Sequence, residues 1–78
     1  MSAVTVRYFA GAAQAAGLTG ATVSAGTVGE LEDAVANQIG PVVFGQCTLL
    51  VDGRPNPPRQ TPLADGAVID VLPPFAGG

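Results

Sequence analysis

The clearest pattern of apolar and polar positions begins after Thr27. Apolar residues recur there at steps of three and four: Val28, Leu31, Val35 and Ile39. This spacing predicts a helix with one buried face. Thr27 and Glu30 fit a capping box, in which the two side chains accept hydrogen bonds from free N–H groups at the helix start. Gly40 and Pro41 predict the end of the helix.

Four other segments are typical of strands. Residues 4–9 alternate with period two, with Val4, Val6 and Tyr8 on one face and Thr5, Arg7 and Phe9 on the other. Residues 21–25 form a weaker strand. Residues 47–51 precede an Asp-Gly turn signal, and residues 67–72 form the last strand.

Two segments are predicted to lie outside regular structure. Residues 10–16 are rich in Ala but lack an amphipathic stripe and are flanked by Gly11 and Gly17, which predicts a loop with a helical turn. Residues 54–62 contain four prolines. Such a segment is a surface connection or at most an edge strand.

This order of elements predicts an α+β fold. A β-grasp fits it: a mixed sheet of four to five strands, with the first and last strands parallel in the middle and one main helix on one face. The domain is expected to span residues 1–72. Residues 73–78 would then form an extended tail that ends in Gly-Gly.

The last strand also predicts an exposed apolar surface. If Asp70 faces solvent, then Ala67, Ile69 and Val71 pack against the helix, and the remaining apolar positions face outward. With Cys47, Leu49 and Val51 inward, the outward set is Leu50, Val68, Leu72 and, just beyond the strand, Phe75. We interpret this set as a partner-binding surface. The alternative is that one or two of these residues belong to the core.

The tail carries the candidate chemistry. Pro73 and Pro74 fix two φ angles and favour an extended stem. Gly77 and Gly78 have no Cβ, so this tip fits a narrow channel. The terminal carboxylate of Gly78 is ionised near neutral pH and can attack the α-phosphate of ATP. A frayed terminus in a Gly-rich chain is the simpler alternative.

Composition excludes several function classes. The 78 residues include three Arg, no Lys, no His and one Cys, with a net charge of −3. No basic cluster exists to bind nucleic acid. Without His or a second Cys, we expect no metal site and no self-sufficient active site. Cys47 is predicted to be a small buried residue rather than a reactive thiol. No membrane segment or signal peptide is apparent, which predicts a cytoplasmic protein.

Three stretches resemble one known family. They are Val6-Arg7-Tyr8-Phe9-Ala10 with Ala15-Ala16-Gly17, then Pro62-Leu63-Ala64-Asp65-Gly66, and above all Leu72-Pro73-Pro74-Phe75-Ala76-Gly77-Gly78. Together they resemble the small subunit of molybdopterin synthase, a ubiquitin-like sulfur carrier. The ending of two prolines, an apolar residue and Gly-Gly is the most specific part of the likeness.

The resemblance implies a function for the tail. An ATP-dependent, E1-like activating enzyme would adenylate Gly78, and a sulfur relay would convert it to a thiocarboxylate. The tail, with Pro73, Pro74, Phe75 and Ala76, would then enter the large synthase subunit and pass sulfur to cyclic pyranopterin monophosphate. No cofactor is expected to bind the chain itself. Sulfur carriage for thiamin or cysteine synthesis and ubiquitin-like protein modification are the alternatives, as is a binding module whose tail does no chemistry.

Overall fold

The computed structural model describes residues 2–74. The elements in chain order are β1 (Ser2–Tyr8), α1 (Ala10–Ala16), β2 (Gly20–Ala25), α2 (Val28–Ile39), α3 (Pro41–Gly45), β3 (Thr48–Val51), β4 (Arg54–Pro55) and β5 (Val68–Leu72). They form one five-stranded sheet in the order β2-β1-β5-β3-β4. β1 and β5 are parallel, and the other neighbours are antiparallel. The predicted β-grasp is therefore confirmed.

The core lies between α2 and one face of the sheet. The four stripe residues of α2 are all buried, as predicted from their spacing. Alternate residues of β1, β3 and β5 meet them from the sheet. The buried apolar residues are Val4, Val6, Tyr8, Ala12, Ala16, Ala25, Val28, Leu31, Val35, Ile39, Leu49, Val51, Leu63, Ala67, Ile69 and Val71. Apart from Tyr8 this core is aliphatic, and it is small, as expected for a short chain.

The start of α2 shows how its free N–H groups are satisfied. The Thr27 hydroxyl accepts from the Glu30 N–H at 3.2 Å, which confirms half of the predicted capping box. The Glu30 carboxylate accepts from Gly26 at 2.6 Å, one residue before the expected donor. The N–H groups of the first two helical residues, Val28 and Gly29, donate to the carbonyls of Thr61 and Arg59, at 2.9 and 2.8 Å. The proline-rich loop therefore helps to cap the helix.

Replacing the capping threonine is expected to destabilise the fold. Thr27→Ala removes the hydroxyl acceptor from the first turn of α2, which should cost about 1 kcal/mol of unfolding free energy. For a domain of this size that corresponds to a melting temperature lower by about 4–8 °C. Thr19→Ala is the matched control, because Thr19 is exposed in the bend after α1, outside the helices and strands. Equal melting temperatures for the two variants would contradict the capping role.

Residues 10–16 form a helix rather than the predicted loop with a single turn. Ala has the highest intrinsic helix propensity, and Ala12 and Ala16 are buried in the core. Gly17 ends the helix with φ of 77°, a left-handed conformation that suits glycine. Hydrophobic periodicity did not predict this helix, because its buried and exposed positions are both occupied mainly by alanine.

The region after α2 also differs from the prediction. Gly40 and Pro41 do end α2, but Pro41 is the first residue of a short further helix, α3. Proline is favoured at that first position because its missing N–H would be unpaired there anyway. The proline-rich segment contributes only the two-residue strand β4 at one edge of the sheet, within what the prolines predicted. No helix in residues 2–74 combines the length and apolar content needed to span a bilayer.

Candidate functional site

The predicted orientation of the central strands is confirmed. Ile69 and Val71 of β5 are buried against the helices, as are Leu49 and Val51 of β3. The intervening residues Leu50, Val68 and Leu72 lie on the opposite surface of the sheet, and each is half-buried. We call these three residues the docking face. Their orientation excludes the alternative that they belong to the core, while their role in binding stays a prediction.

Strand register brings the docking face together around Asp70. Leu50 pairs with Asp70 across β3 and β5, and Thr48 pairs with Leu72. Val68 and Leu72 flank Asp70 on its own strand, two residues away on either side. One carboxylate therefore lies at the centre of the three apolar side chains.

Arg7 neutralises that carboxylate. Its guanidinium donates two hydrogen bonds to Asp70, of 2.6 and 3.0 Å, from the adjacent strand β1. These bonds raise the pKa of the Arg7 guanidinium, so Arg7 stays charged. A bidentate pair fixes both side chains in one geometry. The docking face is thus an apolar surface with one internally satisfied ion pair rather than a net negative one.

Phe9 is a candidate binding residue that the sequence analysis did not assign. Its ring is 40% exposed, and the Arg7 guanidinium lies 5.9 Å from the ring centroid. The parallel register of β1 and β5, with Tyr8 beside Val71, places Phe9 level with Leu72. Exposed aromatic residues are enriched at protein interfaces. The alternation of β1 already placed Phe9 on the same face as Arg7, and only the strand pairing brings it next to Leu72.

The tail begins at the end of the sheet where Phe9 and Leu72 lie. β5 ends at Leu72, and Pro73 is half-buried while Pro74 is exposed. Phe75, Ala76, Gly77 and Gly78, which the sequence analysis assigned to the partner contact and to the chemistry, lie outside the described residues. Those assignments remain predictions. Because β5 ends at Leu72, the strand that carries Val68 and Leu72 is also the strand that leads into the tail.

The other reactive groups do not form a competing site. Cys47 is half-buried against the core, and its thiol donates to the Val43 carbonyl at 3.2 Å. Burial raises the pKa of this thiol, so the nucleophilic thiolate is disfavoured near neutral pH. Within residues 2–74, no three His, Cys, Asp or Glu side chains are grouped to hold a metal ion.

A small cleft lies at the opposite end of β5 from the tail. The proline-rich loop and the β3–β4 turn line it, and its volume is about 140 Å³. Ligand pockets are commonly about 300–1,000 Å³. The cleft is therefore too small for a typical cofactor.

Comparison with solved structures gives close matches over nearly the whole chain. A Pyrococcus furiosus protein assigned as molybdopterin converting factor subunit 1 has a TM-score of 0.80 at 23% identity, covering 96% of this chain and all of that one. Small archaeal modifier protein 1 from Haloferax volcanii has a TM-score of 0.80 at 21% identity, covering 99% of this chain and all of that one. At these identities the likeness shows the shared fold.

A third match is a subunit within a complex. The complex of subunits 1 and 2 of molybdopterin-converting factor from Helicobacter pylori contains a chain with a TM-score of 0.75 at 28% identity. The match covers 97% of this chain and 99% of that one. No curated protein sequence matches the chain.

The family assignment rests on the sequence itself. Residues 6–78 match the ThiS family, a span that includes every strand of the sheet in whole or in part and the Gly-Gly ending. The β-grasp fold and the structural matches agree with this assignment. The chain therefore belongs to the ThiS family and is a ubiquitin-like sulfur carrier.

Proposed function

We propose that this protein is the sulfur-donating small subunit of molybdopterin synthase. In this proposal an ATP-dependent, E1-like enzyme activates the Gly78 carboxylate. The carboxylate attacks the α-phosphate of ATP, pyrophosphate leaves, and the resulting acyl adenylate is a good electrophile. Hydrosulfide delivered by a sulfur relay then attacks the acyl carbon, AMP leaves with the phosphate oxygen, and the product is a thiocarboxylate. The thiocarboxylate sulfur is delivered to cyclic pyranopterin monophosphate within the large subunit.

The observation that carries the proposal is the position of the docking face on the tail strand. Val68 and Leu72 lie on β5, and the tail follows Leu72 directly. A partner that covers the docking face therefore holds the root of the tail as well. Fixing the root restricts where the terminal carboxylate can reach, and such positioning is a large part of catalytic rate enhancement.

The composition of the chain supports a division of labour between carrier and partners. The chain has no His and no Lys, and the Cys47 thiolate is disfavoured by burial. General acid–base catalysis usually depends on a side chain with a pKa near the operating pH. We therefore assign the catalytic groups and the ATP site to the activating enzyme and to the large subunit.

The choice of the molybdopterin pathway is supported by the sequence ending and by the Helicobacter pylori complex. That structure contains subunits 1 and 2 of molybdopterin-converting factor, and one of its chains matches 97% of the present chain. A large-subunit partner for this chain is the corresponding proposal. Sulfur carriage for thiamin or cysteine synthesis uses the same tail chemistry with a different acceptor and is the nearest alternative.

Protein modification is a second candidate function, favoured by the likeness to small archaeal modifier protein 1. In that function the activated Gly78 would form an amide with a lysine of a target protein. All three basic residues of the chain are arginines, so the chain has no lysine on which to build a conjugate. Any conjugate formed on a lysine would therefore contain this chain as the donor.

The intact mass of the protein after activation separates these functions. The chain is co-produced with the activating enzyme encoded by its own host, and its mass is measured. We expect replacement of one oxygen by sulfur, and the added sulfur should disappear on incubation with the large subunit and cyclic pyranopterin monophosphate. Conjugates to other proteins without the sulfur form would favour the modifier. An unchanged mass with active enzyme and ATP would contradict both functions.

A further inference from the structure

The two edges of the sheet differ in how they are protected. β4 forms one edge with only Arg54–Pro55, followed by further prolines, which cannot donate to a neighbouring strand. β2 forms the other edge with six residues and an uninterrupted register against β1. Its sequence, GATVSA, contains no proline and no charge. Natural proteins usually protect an edge of this kind with charge, proline or a bulge.

Strand register identifies which backbone groups of β2 are free. The Tyr8 N–H donates to the Thr19 carbonyl. From that pair on, every second pair of β1 and β2 is hydrogen-bonded, which includes Val6 with Ala21 and Val4 with Val23. The intervening residues of β2 direct their N–H and C=O groups away from β1: Gly20, Thr22 and Ser24. Within residues 2–74, these outward groups have no hydrogen-bond partner.

We infer that β2 is a self-association edge, at which a second copy of this chain adds antiparallel to form a two-fold symmetric dimer with one continuous sheet. With the two-fold axis at Thr22, Thr22 pairs with its counterpart, and Gly20 pairs with Ser24 of the second copy. Each of these pairs exchanges two hydrogen bonds. This register uses all of the outward residues.

The neighbouring registers are poorer. A shift of the axis to Val23 would require Gly26 as a partner for Gly20. Gly26 is already engaged, because its N–H donates to Glu30 and its carbonyl accepts from Leu63. A shift of the axis to Ala21 would pair Ser24 with Leu18, which lies outside β2. The register centred on Thr22 therefore makes the most hydrogen bonds that β2 allows.

Charge favours a second copy at this edge. Each chain carries a net charge of −3, so two copies repel each other on average. From Tyr8 to Gly29 the sequence has no charged residue. The β2 edge is part of this neutral segment, and two copies meet there without opposing charges.

Apolar contact adds to the backbone pairing. Ala21 and Val23 lie on the helix side of the sheet and are only half-buried, although they pack against the core. In the register centred on Thr22, Ala21 is opposite Val23 of the second copy. These two form a non-hydrogen-bonded pair, in which side chains approach most closely. The dimer would therefore cover apolar surface that the single chain leaves partly exposed.

The dimer leaves the docking face accessible. β5 is separated from β2 by β1, so the two β5 strands of the dimer are about 24 Å apart at roughly 4.8 Å per strand. The two-fold axis directs the two tails in opposite directions. The inference is independent of the pathway that receives the sulfur.

Amide hydrogen exchange at increasing protein concentration tests the inference residue by residue. The interface is small, so we expect a dissociation constant on the order of 10⁻⁴ M. Between about 10 µM and about 1 mM, the monomer fraction falls from about 85% to about 20%, so the exchange of the Thr22 and Ser24 amides should slow about fourfold. The amides of Ala21 and Val23, already bonded to β1, should not change. Equal exchange rates of the Thr22 and Ser24 amides at the two concentrations would overturn the inference.

Introducing a charge at the two-fold axis tests the register. Thr22→Lys or Thr22→Asp places like charges directly opposite each other, and each should weaken the homodimer about fivefold in sedimentation equilibrium. An equimolar mixture of the two variants should regain at least the affinity of the unmodified chain. Thr5→Lys, on the same face but one strand inward, is the matched control and should dimerise normally. If both Thr22 variants dimerise with the affinity of the unmodified chain, the interface lies elsewhere and the inference is overturned. A chain that stays monomeric and pairs only with strands of other proteins would also overturn it.

Discussion

Deletion of Gly78, or addition of one residue after it, is expected to abolish sulfur transfer while leaving the fold intact. One residue changes the reach of the tail by at most about 3.3–3.6 Å. A misplacement of about 1 Å at a reacting centre can cost about 10²-fold in rate. We therefore expect transfer to fall at least about 100-fold. Deletion and extension shift the carboxylate in opposite directions, so a result common to both reports a length requirement.

Stability should not change in these variants. The buried core described within residues 2–74 extends from Val4 to Val71, and the last strand ends at Leu72. The melting temperature should therefore stay within the error of the measurement. Single-turnover transfer with the purified activating enzyme and large subunit, followed by intact mass, gives the activity.

The matched control is a single glycine added before Ser2. β1 and β5 are parallel, so this extension lies at the end of the sheet opposite to the tail. It should leave transfer unchanged. Transfer within about twofold of the unmodified chain after deletion of Gly78 would reject the terminal carboxylate as the reactive group, whatever the pathway.

The parts of the fold that were predictable from sequence are those with strong local contrast. The α2 stripe follows from apolar residues at helical spacing, and all four of its members are buried. The phase of β5 follows from Asp70, whose charge marks the outward face between Ile69 and Val71. In both cases one face is apolar and the other is not, so burial can be inferred from the sequence alone.

The parts that were missed depend on contacts between distant residues. α1 has no polar contrast, and it is fixed by the burial of Ala12 and Ala16. The Arg7–Asp70 pair joins residues 63 positions apart, and Phe9 becomes a neighbour of Leu72 only through the parallel pairing of β1 and β5. The Arg59 carbonyl caps α2 from a loop that follows two strands later. Local patterns carry no information about such pairs.

The docking face is expected to carry much of the affinity for the large subunit. The double variant Leu50→Gln with Leu72→Gln retains side-chain size but removes two apolar contacts from the centre of the proposed interface. Full burial of one leucine side chain is worth about 1.5–3 kcal/mol, and both leucines are already half-buried in the free chain, so binding gains about half of that from each. Loss of two should weaken binding at least about tenfold. Neutral substitutions are chosen because a carboxylate at position 50 would repel Asp70 directly across the strand pair.

Val42→Gln is the matched control for this variant. Val42 is 75% exposed on α3, which packs with the helices on the other side of the sheet. If exposed apolar area alone determined binding, Val42→Gln would weaken it as well. Calorimetric titration with the purified large subunit should instead show the unmodified affinity for Val42→Gln, and thermal unfolding should show that the double variant is folded. An unchanged affinity in a folded double variant would mean that the partner recognises the tail without the sheet, and the docking face would have no part in sulfur delivery.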